Sequence, residues 1–150
     1  MENLDTFEEF LQRKATEKEQ KKVDWKERKQ KWLNSVTKLY SDINEWLEPF
    51  KTQKLITVET SKIIKITEEY IGTYEIPRLD IYVGNEIISL TPKGTLILGA
   101  NGRIDMIGPK AEIMLIEPEW GEWQFAKRTP KLETWEINEK SFKSFIQKLV

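Results

Sequence analysis

Asp105, Glu117 and Glu119 are the residues whose type and spacing could do chemistry. Asp105 lies in one apolar segment, Glu117 ends the next, and Gly108-Pro109 turns the chain between them. Acids on neighbouring strands can hold a hard divalent cation, Mg²⁺ or Mn²⁺, through oxygen alone. The rest of the usual repertoire is closed, because the 150 residues include no His and no Cys. Histidine-dependent triads, Cys-His dyads, imidazole or thiolate metal sites and disulfides are all excluded. Arg103 stands two residues from Asp105, so on a strand the two share a face, as a structural ion pair or as part of a recognition surface. The ion pair is the commoner arrangement. Trp25, Arg28, Arg78, Trp120, Trp123 and Arg128 join Arg103 and Asp105 as the candidate interaction surface, since Trp, Tyr and Arg are enriched where proteins meet partners.

The stretch 102–119 resembles the restriction-endonuclease-like nucleases. In that family two such carboxylates hold Mg²⁺, and a lysine two residues after the second acid positions the attacking water. The resemblance implies Asp105 and Glu117 as ligands, but it sets Glu119 where the family has its lysine, with Pro118 between the acids. Two strands and a helix then follow, where the family continues as helix and then strand. The favoured reading is an ordinary hairpin with solvated acids. A Mg²⁺ or Mn²⁺ site at Asp105, Glu117 and Glu119, working or degenerate, is the alternative. Residues 94–102 are glycine-rich but lack the Gly-Lys-Ser/Thr ending of a phosphate loop, so those glycines read as turns.

A change of period near Pro49 sets the elements that position these residues. Thr6 with Glu9 forms a capping box, and Phe7, Phe10 and Leu11 then share one helical face. Residues 13–31 hold nine Lys or Arg against four acids, a local charge of +5. Trp25, Trp32, Leu39 and Trp46 recur every seven residues, with Val36, Ile43 and Phe50 interleaved. Three indoles are too bulky for a tight two-stranded coil, so the seam from Trp32 to Phe50 is expected to pack on a sheet of its own chain, with a partner helix or dimer as the alternative. Trp25, ringed by charges, is expected outside the core. Asp24 with Glu27 is a second helix-start signal, which allows a bend at 22–24. The helix is expected to end before Pro49.

From residue 55 to 137 apolar residues alternate between turn signals. Strands are expected at 55–60, 62–69, 78–83, 86–91, 95–99, 103–107, 111–117, 120–127 and 132–136. Asn138 is a good N-cap for a closing helix whose stripe is Phe142, Phe145, Ile146 and Leu149. The class is therefore α+β, a single domain. Residues 1–23 form a charged helical arm, 24–49 a helix packed on the sheet, 54–137 a curved antiparallel sheet or small barrel of about seven to nine strands, and 138–150 a short helix packed on that sheet.

Net charge is -1, so any polyanion would need a local patch. The acidic start and the lack of a long apolar run predict a cytoplasmic chain without a membrane segment. Abundant Lys, Glu and Ile suggest an AT-rich prokaryotic source. The function expected from these features is non-enzymatic: a protein-protein interaction module of immunity, inhibitor or accessory-subunit type, without cofactor. The alternative is a metal-dependent or degenerate nuclease-like or nucleic-acid-binding protein using Asp105, Glu117 and the basic helix at 13–31. A solvated, Glu-Lys-laced helix face is the commoner role for such a charge run.

Overall fold

The computed structural model describes residues 6–95, 100–128 and 130–150, with the backbone alone at 17–24. Helix α1 runs without a break from Phe7 to Thr52, 46 residues, or about 69 Å at 1.5 Å per residue. Its start is the expected capping box: the Thr6 hydroxyl accepts from the Glu9 N–H, and Glu9 reaches back to the Thr6 N–H. The signal at Asp24 and Glu27 does not restart the helix, because nothing between Arg13 and Lys31 breaks helical geometry.

Pro49 does not end the helix either; it sits inside the last turn. There it removes only the bond its N–H would give to Glu45 O, with three helical residues left to follow. The helix closes further on, at Lys54, whose φ of 61° is left-handed. The Lys54 N–H donates to Lys51 O and the Leu55 N–H to Phe50 O, the paired bonds that satisfy terminal carbonyls.

Among the described residues nine strands follow: β1 Ile56–Glu59, β2 Ile63–Glu68, β3 Gly72–Pro77, β4 Leu79–Val83, β5 Glu86–Gly94, β6 Arg103–Ile107, β7 Glu112–Glu119, β8 Glu122–Arg128 and β9 Leu132–Glu136. Seven form an antiparallel sheet in the order β1-β4-β5-β6-β7-β8-β9, and β2 with β3 make a separate hairpin. The sheet is open. Strand β3 was not expected, because Pro77 and the Glu-rich flank obscure its alternation of Tyr74 and Ile76 with Thr73 and Glu75. The expected strand at 95–99 lies, apart from Thr95, outside the described residues.

One face of the sheet carries the core. Ile81, Ile88, Leu90, Ile104, Met106, Ile113, Leu115 and Phe125 are buried beneath α1, which buries Trp32, Val36, Leu39, Tyr40, Ile43 and Leu47. The aromatic seam thus belongs to the chain's own core. Helix α2, Glu139–Leu149, closes the other end. Asn138 caps it, and Phe142 contacts Phe125 and Trp46 while Phe145 lies 4.2 Å from Phe125. Neither described helix is long and apolar enough to cross a membrane.

Candidate interaction site at the helix–sheet junction

Cross-strand register decides which of the candidate residues can meet. Asp105 pairs with Met114 and Ile104 with Leu115, and Ile104 and Leu115 are buried while Asp105 and Met114 are half-exposed. Asp105 therefore lies on the outer face with Arg103, which donates to it through Nε and Nη2 at 2.7 and 3.2 Å. Glu117 falls two residues after Leu115 and shares its inward face, fully buried. Glu119 is exposed beyond the register shift that surrounds Pro118. The three acids of the metal alternative thus point to opposite faces of the sheet. Among the described residues no group of three acidic side chains could hold a metal ion.

Arg78 is likewise committed within the chain. It grips Asp80 through two bonds of 3.0 Å, and Ser89 adds a third donor at 2.8 Å. Burial pushes the Asp80 carboxyl up, but the Arg78 and Ser89 bonds and the charges of Arg78 and Lys62 outweigh it and hold the carboxyl below its usual range. Trp123 is buried against Trp32 at 6.0 Å instead of standing on a surface, because it shares the inner face with Phe125. Arg128 is exposed at the far end of β8.

Trp25, Arg28 and Trp120 do come together. The Arg28 guanidinium lies 6.0 Å from the Trp25 ring and 5.7 Å from the Trp120 ring, within cation–π range. Its Nη2 donates to Thr95 O at 2.6 Å and to Asn101 O at 3.5 Å. One side chain of α1 thus holds both flanks of the β5–β6 connection. Trp25 in turn stacks on Tyr70, ring centroids 5.4 Å apart and 13° from parallel. Tyr70 sits at the tip of the β2–β3 hairpin with a left-handed φ of 70° and is 71% exposed.

Beneath this knot lie two buried carboxylates. Glu68 accepts from the Tyr74 hydroxyl at 2.6 Å, the Thr95 N–H at 2.6 Å and the Thr95 hydroxyl at 3.2 Å. Gly94, at φ 126°, makes room for it: a Cβ there would stand 2.6 Å from Glu68 Oε1. Burial first, then the bond and charge of Glu68, raise the Tyr74 phenol far above its usual range. Glu117 accepts from the Ser35 hydroxyl and, at 2.7 Å, from the Gly121 N–H. Among the described residues its Oε1 has no hydrogen-bond partner, and the same holds for Arg28 Nε.

Both carboxylates are buried: Glu117 ties α1 to the turn at Gly121, and Glu68 ties the β2–β3 hairpin to Thr95. The accessible chemistry is stacking, cation–π contact and charge at the surface. Sequence reasoning missed Tyr70, Glu68 and Ser35. For Tyr70 a local signal existed: Tyr70 followed two residues later by Gly72 marks a hairpin tip with an aromatic on it.

Compared with known proteins, the chain matches no family model, and no curated protein or solved structure is similar to it.

Proposed function

We propose that this chain is a non-enzymatic protein-interaction module, of the immunity, inhibitor or accessory-subunit kind, that offers the first turns of α1 to a partner protein. One observation carries the reading. Phe7, Phe10 and Leu11 are 77%, 41% and 49% exposed, side by side on one stripe of a capped helix. Apolar residues at this spacing are the anchors an amphipathic helix lays into a groove. The buried carboxylates and the absence of His and Cys support the non-enzymatic part.

The test is affinity capture from the source cell with the intact chain and with Phe7→Ala/Phe10→Ala/Leu11→Ala. A stoichiometric protein partner should be held by the first and lost from the second by at least about tenfold, as expected when interface anchors are truncated. The exposed substitutions should leave the melting temperature within a degree or so. Capture of nothing stoichiometric, or equal capture by both chains, would overturn the reading.

A further inference from the structure

The knot at Trp25 and the basic run of α1 are continuous, and their chemistry goes beyond a protein groove. At about 100° per residue, the stripe within about 60° of Trp25 contains Phe7, Phe10, Leu11, Lys14, Lys18, Lys21, Lys22, Trp25, Arg28, Lys29, Trp32 and Val36. Between Leu11 and Trp25 it consists only of lysines. Glu8, Glu9, Glu17, Glu19, Asp24 and Glu27 all fall off it. The mixed charges of the sequence therefore resolve, on the helix, into a one-signed stripe that leads to the aromatic knot.

The knot supplies a second, independent feature. Tyr70 holds a left-handed backbone that glycine or asparagine normally takes. The residue placed there is a flat ring, stacked on Trp25 and 71% exposed. Arg28 adds a guanidinium plane between Trp25 and Trp120. Glu69 and Glu119, next in sequence to Tyr70 and Trp120, are exposed acids, so the cationic path for a polyanion is the helix stripe.

From this arrangement we infer that the Trp25–Tyr70 platform and the lysine stripe form a binding site for single-stranded nucleic acid. An unpaired base stacks on Tyr70, and the phosphate chain runs along the face of α1 on which the backbone places Lys14, Lys18, Lys21 and Lys22. Stacked rings beside a cationic track are how strands are held without sequence preference. An acidic protein segment would use the lysines but has no planar bases for Tyr70, so the platform favours the nucleic acid.

Fluorescence anisotropy with a labelled oligothymidylate of about fifteen nucleotides, titrated with the full chain, tests the site. Binding is expected to fall steeply as salt rises and to be much weaker for a duplex, whose bases are already stacked. Tyr70→Ala and Trp25→Ala should each weaken it by about tenfold or more. Lys18→Gln/Lys21→Gln/Lys22→Gln should lower the slope of log K against log salt by about 2. Tyr70→Gly, which suits the backbone, should lose affinity without losing melting temperature. The inference is overturned if no salt-sensitive binding occurs, if the duplex binds equally, or if the aromatic variants bind like the native chain. It is also overturned if polyglutamate competes as well as the oligonucleotide, which would assign the stripe to an acidic protein.

Discussion

Gly102→Ala is expected to lower the stability of this protein by about 3 kcal/mol, at the upper end for overpacking a core. Gly102 is buried at the start of β6, and the Trp32 ring lies directly on it. A Cβ there would stand 2.1 Å from one ring carbon and 2.4 Å from another. Backbone strain is no part of the cost, since Gly102 does not have the left-handed φ that excludes side chains. The whole effect is collision, and the ring has no easy retreat: Trp32 is fully buried and packs on Trp123. The Gly102 carbonyl also accepts the Glu117 N–H at 3.1 Å, so pushing β6 away would break the start of its pairing with β7. For a chain of 150 residues, a loss of this size lowers Tm by roughly 6–12 °C. Urea unfolding of a double-mutant cycle checks the cause. Trp32→Ala alone should cost about 3–5 kcal/mol, and adding Gly102→Ala to it should cost little more. An equal loss in both backgrounds would show that the ring is not what excludes the methyl.

That contact also marks the limit of what local patterns in this sequence can say. Trp32, Leu39 and Ile43 announce a buried helical seam through their spacing, and the alternation of Ile113 and Leu115 announces a strand. Both are period signals, generated within a few residues, and the α+β class follows from them. Gly102 reads from the sequence as one more turn glycine. Its actual role, making room for a ring seventy residues earlier, has no local signature. Glu117 was misplaced for a related reason. Alternation through Ile113 and Leu115 puts it on the inner face, yet a glutamate is so rarely buried that residue type argued for solvent. What decides the matter is Ser35, on the helix, and the Gly121 N–H, on the following turn. Pro49 shows the converse. Its local rule is sound, but so close to the end of α1 the lost hydrogen bond costs little, and the apolar face running on to Phe50 keeps the helix going. The interaction knot lay between these cases. Trp25, Arg28 and Trp120 were legible by residue type, whereas Tyr70 depended on the unexpected strand β3 that turns it towards the helix.

Glu117→Gln should make the protein more stable than the native chain at neutral and alkaline pH, with the gain disappearing in acid. The carboxyl is buried, with Ser35 and Gly121 on one oxygen and, among the described residues, nothing on the other. Burial raises its pKa, and the Ser35 and Gly121 bonds offset this only in part, so the carboxyl stays above its usual range. A folded pKa above the unfolded value, about 4.3 for a glutamate, means that the folded state binds the proton more tightly. Its contribution to stability is complete below the unfolded pKa and is lost as pH rises through the folded one. Glutamine keeps a carbonyl for the Ser35 and Gly121 donors and never ionises. Relieving one unpaired buried oxygen of its charge should contribute about 1–3 kcal/mol, or several degrees in Tm. Asp80 is linked with the opposite sign: its lowered pKa stabilises at neutral pH and that share is lost in acid. It is common to both proteins, so the difference in Tm between them, followed from about pH 4 to pH 9 around the unfolded value, isolates Glu117. That difference should start near zero and widen upward in favour of Gln. Parallel curves, or a Gln variant less stable at neutral pH, would mean that the charged form is the one this site is built to hold. The ion would then be an anchor in its own right, with Oε1 satisfied in solution.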